Sequence, residues 1–265
     1  MRTKTLLVAV AALAVGAITS QAQVYSQNIV GYVNKVIPLG QSLISNPLQG
    51  TTNDLEQLLN LQGGEVILLW TGSGYQVYEY QQGYVSNYGT PSDWTDGGGA
   101  AIPGTQVNWE GSGLNFVPDP QIAPGQGFFI QEGQSAFTNT FVGTVVLNST
   151  NVISSGQSLI SSALPVAGDL ETNTTLNLPL FGGEILLIWT GSGYQIYEYQ
   201  QGYVSNYGTP SDWTDGGGAA IPGTQVNWEG SGLNFVPDPQ IAPGQAVFYQ
   251  TQNATTNWVQ NLVIQ

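Results

Sequence analysis

An internal duplication is the feature that most constrains the fold of this chain. Residues 78–126 and 197–245 are identical, whereas the segments on either side have drifted apart. The drifted part still shows its origin, because the hexapeptide GQSLIS occurs at 40–45 and again at 156–161. One repeat therefore has the size of a common protein domain, about 100–150 residues.

The repeats predict two homologous domains in tandem, which span residues 23–143 and 144–265. The abrupt change from drifted flanks to an identical middle indicates an old duplication whose middle was recently recopied. The nineteen residues DWTDGGGAAIPGTQVNWEG, found at 93–111 and 212–230, belong to that middle. Their identity therefore reports recent copying and is not by itself a sign of functional constraint.

The N-terminus has the order of a secretory signal peptide. Arg2 and Lys4 precede an apolar run over residues 6–17, and the small-x-small sequence Ser-Gln-Ala ends at Ala22. We expect residues 1–22 to be this signal peptide. The apolar run is too short for a comfortable membrane span, and no second run of that length follows. The mature protein is therefore expected to have no transmembrane segment and to be extracellular, at the cell surface or in the periplasm.

Charge and missing residue types exclude several functions. Beyond the predicted signal peptide, Lys35 is the single basic residue against 17 acidic ones, so nucleic acid should be repelled. The chain has no histidine and no cysteine, which excludes Ser–His–Asp and Cys–His catalysis, ordinary zinc sites and disulfides.

The hydrophobic pattern predicts a mostly β protein. The apolar run 66–70 is typical of a strand buried on both faces, and with the turn TGSG and the aromatic segment 75–80 it predicts a hairpin. Further strands are expected within 83–88, 114–117 and 124–131. One short helix is expected after a cap at Asn53, with leucines at 55, 58, 59 and 61; its copy, from Asp169, is weaker. The predicted fold class is all-β, with two β-sandwich or barrel-like domains.

A related strand-like segment begins the chain, joins the repeats and ends the chain. The joining segment, 138–147, reads as one long strand. Two pairings are open for these boundary strands. The first could pair with the last and close the molecule, or it could pair with a neighbouring molecule, because an open strand edge is a template for pairing.

The motif order GQSLISNPL, GGEVILLWTGSGYQVYEY, IAPGQGFFIQ and FVGTV resembles a module of secreted and cell-surface bacterial proteins. Secreted Verrucomicrobia-like β-repeat proteins, with GWNLIGNP, WDGSGY and PGQGFFV motifs, are especially similar, including the start at 25–34. The resemblance covers most of the predicted mature chain and implies an all-β extracellular module with no catalytic motif. The chain departs from the pattern at Gln41, where the family has an aromatic residue.

Carboxylates are the acidic groups left for chemistry. Asp93 with Asp96, or Glu110 with Asp119, could in principle hydrolyse a glycoside, but two complete sites in small tandem β-domains are unusual. We therefore expect no enzymatic activity and no cofactor other than calcium.

Calcium binds carboxylate and carbonyl oxygens, which this aspartate- and glycine-rich loop supplies. The candidate ligands are Asp93, Asp96, Asp119, Asp212, Asp215 and Asp238. The spacing matches no EF-hand, and the alternative is a solvated turn-rich loop.

Exposed aromatic rings next to polar side chains are typical of carbohydrate sites. The candidate residues are Tyr84, Tyr88, Trp94, Trp109, Tyr203, Tyr207, Trp213 and Trp228. The alternative is that the tryptophans fold under the loop and anchor it. We expect a non-enzymatic surface or matrix protein that assembles with itself or with other matrix components through its boundary strands. The second hypothesis is a polysaccharide-binding protein with one aromatic, calcium-assisted site per repeat.

Overall fold

The structure is a computed structural model that describes residues 29–81, 93–97, 115–200, 212–216 and 235–263. Nearly all regular elements in this part are strands, which confirms the all-β fold class. In the N-terminal half (residues 29–144) the elements are β1 (Val30–Ile37), β2 (Gly40–Ser45), α1 (Leu55–Leu58), β3 (Val66–Trp70), β4 (Tyr75–Tyr80), β5 (Trp94–Thr95), β6 (Phe116–Val117), β7 (Gly127–Glu132) and β8 (Phe137–Thr144). In the C-terminal half (residues 148–263) they are β9 (Asn148–Ile153), β10 (Gly156–Ser161), β11 (Gly168–Asp169), β12 (Ile185–Trp189), β13 (Tyr194–Tyr199), β14 (Trp213–Thr214), β15 (Phe235–Val236), β16 (Gln240–Ile241), β17 (Ala246–Thr251) and β18 (Thr256–Asn261).

Each half contains one antiparallel six-stranded sheet, and the two sheets have the same strand order. The order is β2-β7-β3-β4-β5-β6 in the N-terminal half and β10-β17-β12-β13-β14-β15 in the C-terminal half. The predicted hairpin is confirmed as β3 and β4. Its turn is closed by a bond from the Thr71 amide to the Gly74 carbonyl, 2.9 Å, with Gly72 at a φ of 97°. A positive φ is inexpensive for glycine, which explains the TGSG sequence at this turn.

One face of each sheet covers the core of its own half. Ile44, Ile67 and Phe128 project from the N-terminal sheet towards Ile37 and Phe141 of strands β1 and β8. The C-terminal sheet packs in the same way against β9 and β18. These two strand pairs, β1–β8 and β9–β18, lie outside the six-stranded sheets, and we call them the N-terminal and C-terminal ribbons.

The opposite faces of the two sheets pack against each other and join the halves. Leu43 and Phe129 of the N-terminal sheet share one buried cluster with Phe248 of the C-terminal sheet. The contact is pseudo-symmetric. Trp70 donates its indole N–H to the Gln157 carbonyl of the other half at 3.2 Å, and Trp189 donates to the Gln41 carbonyl at 2.8 Å. The layers are therefore ribbon, sheet, sheet and ribbon, and the sheet-to-sheet contact lies between the halves.

The first and last boundary strands do not pair with each other. Strand β1 pairs with β8 over its whole length, from Val30 opposite Thr144 to Ile37 opposite Phe137, and β18 pairs with β9. The joining segment is two strands because residues 145–147 are held at both ends: the Val145 amide donates to the Ile29 carbonyl, and the Leu147 carbonyl accepts from the Leu262 amide. The expectation of one strand over 138–147, and of pairing between the first and last strands, was wrong.

The predicted helix is one turn long. Asn53 has a φ of 58° and is not the cap; Asp54 precedes α1 in extended geometry. The helix stops because the side chain of Asn139 in β8 hydrogen-bonds the backbone groups at its C-terminal end. Its side chain donates to the Leu58 carbonyl at 2.9 Å and accepts from the Asn60 amide at 3.0 Å. The equivalent segment of the C-terminal half forms β11 and a turn.

Candidate functional site

Each copy of the duplicated nineteen-residue segment has a buried tryptophan as its second residue. Trp94 begins β5, lies opposite Tyr80 of β4 and is fully buried. Its ring centroid is 5.1 Å from that of Tyr80 and 6.5 Å from that of Tyr78. A fully buried indole offers no face on which a sugar ring could stack. The structure therefore places Trp94 in the core, as the alternative interpretation expected.

The copy of this tryptophan is held in the same way. Trp213 is fully buried and donates its indole N–H to the carboxylate of Glu171 at 3.0 Å. The Tyr199 hydroxyl donates to the same carboxylate at 3.2 Å. Glu171 thus satisfies two polar groups that would be costly to bury without partners. Sequence reasoning did not identify Glu171, because its partners are distant in the chain.

The other predicted carbohydrate-binding residues lie outside the described residues. They are Tyr84, Tyr88, Trp109, Tyr203, Tyr207 and Trp228. The structure therefore removes Trp94 and Trp213 from the exposed aromatic set, and the carbohydrate hypothesis stays a prediction that depends on the remaining six residues.

Two of the predicted calcium ligands bind backbone amides. The Asp119 carboxylate accepts from the Leu55 amide at 3.1 Å and from the Glu56 amide at 3.3 Å. Its copy, Asp238, accepts from the Glu171 amide at 3.2 Å and from the Thr172 amide at 2.9 Å. Each carboxylate is distant in sequence from the amides that it caps. Asp119 caps the turn after β2, and Asp238 caps the turn after β10. Their hydrogen-bonding capacity is directed at the protein's own backbone.

Asp96 binds Asn115, nineteen residues further along the chain. It is buried, and its carboxylate accepts from the Asn115 amide at 3.2 Å and from the Asn115 side chain at 2.6 Å. Its own amide donates to the Asn115 carbonyl at 2.9 Å. These three bonds make Asp96 a structural clamp. Its copy, Asp215, is equally buried.

The last pair of predicted ligands, Asp93 and Asp212, accept hydrogen bonds through their backbone carbonyls. The Asp93 carbonyl accepts from the Gln81 amide, and the Asp212 carbonyl accepts from the Gln200 amide at 2.6 Å. Within the part of the chain that the structure describes, no group of three or more acidic side chains is arranged to hold a metal ion. The aspartates that the sequence brought together as ligands are distributed over separate structural bonds.

Burial makes the carboxyl group of Asp119 easier to protonate. Partial burial raises the pKa of Asp119 to about 7, and the nearby charges of Glu56 and Asp54 act in the same direction. The two backbone amides oppose the shift, because they stabilise the charged form. Burial likewise raises the pKa of Asp238 and raises the pKa of Tyr80 to about 12.

The ribbons present a different surface, which is apolar and exposed. On the N-terminal ribbon, Tyr32 is 71% exposed and Val142, directly opposite it in the register, is 51% exposed. Val30 is 56% and Val36 is 66% exposed on the same face, because side chains alternate along a strand. We call this face, with Val30, Tyr32, Val36 and Val142, the apolar ribbon face.

The C-terminal ribbon is more polar at one pair of equivalent positions. Where Tyr32 lies opposite Val142 in the first ribbon, Asn148 lies opposite Asn261 in the second. Val152 and Val259 are its exposed apolar residues, at 65% and 51%. The two ribbons therefore share an architecture and differ in surface chemistry.

Each ribbon also borders a groove shared with the other half. The groove beside β1 has a volume of about 510 Å³ and runs along 31–35, with Pro165, Ala242 and Pro243 as its opposite wall. Among the described residues, β1 and β9 each have one strand neighbour. Lys35 lines the first groove, and burial lowers the pKa of its ammonium group.

The four ribbon strands contain no acidic residue. No aspartate or glutamate occurs in 29–53, 133–168 or 239–265, which include all four ribbon strands. In a chain with a formal net charge of −14, this leaves the ribbons as a surface whose own sequence carries no negative charge.

No described helix has the length and apolar character needed to cross a membrane. Comparison of the chain with protein-family models, with curated proteins and with solved structures finds no match. The functional inference therefore depends on the geometry and chemistry described above.

Proposed function

We propose that this chain is a secreted, non-enzymatic structural protein of a cell surface or extracellular matrix, which self-associates through its ribbons. The observation that carries the proposal is the combination found on those strands: exposed apolar side chains and no acidic residue. Exposed apolar surface that can be covered by a partner favours association, because burial removes it from water.

Electrostatics supports the same choice of surface. Two mature molecules that each carry one lysine against 17 acidic residues repel one another, and contacts between acidic surfaces add local repulsion. A contact formed by the ribbons avoids the local part of this cost. Association should therefore be directed to the ribbons, where apolar burial is opposed least.

The non-enzymatic part of the proposal is supported by the use of the acidic residues. Asp96, Asp119 and Asp238, which had been candidates for acid–base or metal chemistry, hold backbone amides or a buried asparagine. The export of the protein is a proposal that comes from the predicted signal peptide at 1–22.

The test is the mass of the mature chain, residues 23–265, by size-exclusion chromatography with light scattering over a wide range of protein concentration. We expect a mass above that of one chain, and we expect added salt to favour association because it screens the net charge. A protein that stays monomeric at every concentration and salt level would contradict the proposal.

A further inference from the structure

We propose that two copies of this chain join through the apolar ribbon face of the N-terminal half, in a closed dimer with two-fold symmetry. This inference rests on the proposed function and names the surface and the partner. The partner is a second copy of the same chain, and the contact is Val30, Tyr32, Val36 and Val142 of one copy against the same residues of the other.

The duplication itself supplies an internal comparison. The two ribbons descend from one ancestral segment and have the same antiparallel pairing, yet one equivalent exposed pair is Tyr32 with Val142 in the first and Asn148 with Asn261 in the second. A solvated strand pair is stable with polar side chains, as the C-terminal ribbon shows. The fold of the ribbon therefore does not require the apolar pair, which leaves an intermolecular contact as its use.

The shape and chemistry of the face fit a copy of itself. It is an open, two-stranded surface whose exposed side chains are valine, tyrosine, threonine and asparagine, so no acidic group is buried when two such faces meet. A second copy of the chain offers the same surface without acidic residues. All 17 acidic residues lie elsewhere in the sequence of that copy. Charge thus selects a face-to-face meeting of the two N-terminal ribbons.

The position of Lys35 is compatible with two-fold symmetry. Residues 31, 33, 35 and 37 of β1 are the less exposed positions of its alternating pattern, so Lys35 is on the side of the strand opposite to Tyr32. Two-fold pairing of the apolar ribbon faces therefore does not bring the two ammonium groups together. One such face per chain gives a closed pair, because an isologous contact uses the same patch on both subunits.

The main experiment exchanges the chemistry of the two ribbons. Tyr32→Asn with Val142→Asn gives the N-terminal ribbon the asparagine pair found at the equivalent positions of the C-terminal one, and we expect this variant to be monomeric. The matched control, Val152→Asn with Val259→Asn, removes a similar apolar pair from the C-terminal ribbon and should remain dimeric. Asn148→Tyr with Asn261→Val should create a second contact face, and assemblies larger than dimers should then form.

Cysteine cross-linking tests the contact without removing it. The chain has no cysteine, so a single Tyr32→Cys variant can form a disulfide only between copies. We expect a cross-linked dimer under mild oxidation, in high yield and at low protein concentration, and no such product from the matched Val259→Cys variant. Circular dichroism checks folding, and if the asparagine variant fails to fold, the cross-link decides.

The outcomes separate this inference from the proposed function. If the wild type self-associates but only the Val152→Asn, Val259→Asn variant becomes monomeric, the choice of ribbon is wrong while self-association stands. Wild-type assemblies larger than dimers, or dimers that survive both double substitutions, would also overturn the inference. A wild type that is always monomeric would overturn both proposals.

Discussion

At the scale of single residues, backbone amides bind the carboxylates that have no cationic side chain to pair with. Beyond the predicted signal peptide, 17 acidic residues share one lysine, so ion pairs can satisfy very few of them. The structure instead directs carboxylates at N–H groups: Glu65 accepts from the amides of Gln62 and Gly63 at 2.6 and 2.8 Å, and Glu184 accepts from the Gly182 amide at 2.7 Å. Hydrogen bonds to a charged acceptor are stronger than neutral ones, so these turns are held firmly.

The raised pKa of Asp119 predicts that stability falls as pH rises. Its folded-state pKa is about 7 against an ordinary value of 3.8, so the folded protein binds the proton more tightly than the unfolded chain. This contribution to stability is complete below the ordinary value and is lost as pH rises through about 7. Burial raises the pKa of Glu56, Glu171 and Asp238 as well, with the same sign.

Thermal unfolding at a series of pH values measures this effect. We expect a higher melting temperature in mildly acidic buffer than at pH values above 7. Asp119→Asn, which keeps one oxygen acceptor for the backbone amides, should make the dependence shallower, and Glu79→Gln serves as the control. A melting temperature that rises steadily with pH would contradict the assignment.

At the scale of elements, the sequence predicted local structure correctly but did not predict which distant strands pair. The hairpin β3–β4 was predicted with its bounds, Val66–Trp70 and Tyr75–Tyr80, because strand propensity and the turn both act over a few residues. The partner of β1 was not predicted. Several apolar strands could pair with it equally well by sequence, and the choice of β8 depends on the core that Ile37 and Phe141 complete.

The close approach of β8 to the segment after β2 predicts a sensitive glycine. A Cβ atom at Gly143 would lie 2.5 Å from the Gln49 carbonyl oxygen, and this backbone is itself bonded to Thr144. We expect Gly143→Ala to cost about 1–3 kcal/mol, as for other overpacked sites. Gly133→Ala is the matched control, because nothing lies within 4 Å of its added Cβ. Urea unfolding midpoints compare the two, and equal midpoints would contradict the prediction.

At the scale of the whole molecule, the contact between the sheets accounts for one difference between the two copies. The first residue after the identical block is Gly127 in one repeat and Ala246 in the other. A Cβ atom at Gly127 would lie 2.6 Å from the Cβ of Ala246 across the pseudo-symmetric contact. There is room for one methyl group between the halves at this point. Alanine at both positions would overpack the interface, and glycine at both positions would leave a contact unfilled.

This arrangement predicts a compensating pair of substitutions. Gly127→Ala alone should destabilise the protein by about 1–3 kcal/mol. The double variant Gly127→Ala, Ala246→Gly should recover much of that loss, because it restores a single methyl group at the contact. Chemical denaturation of the single and double variants measures the coupling. Strictly additive effects would show that the two positions do not meet.

The aromatic and acidic candidates show how much of a functional site could be predicted from the sequence. It singled out Trp94, Trp213 and six aspartates because these residue types bind sugars and cations when they are exposed. Their exposure depends on strand pairing and on partners such as Glu171 and Asn115, which no local pattern indicates. The boundary strands were recognised from their recurrence, but their partners and their two different faces were not.

The sequence by itself determined the all-β class, the repeat, the hairpins and the absence of acidic residues from the boundary strands, because each is written in nearby residues or in composition. Only the tertiary structure decided that the sheets of the two halves pack face to face, that both tryptophans lie in the core, and that each boundary strand pairs within its own half. The physical reason is that an apolar side chain encodes the need for burial, whereas its covering partner is selected by the whole chain when the layers assemble.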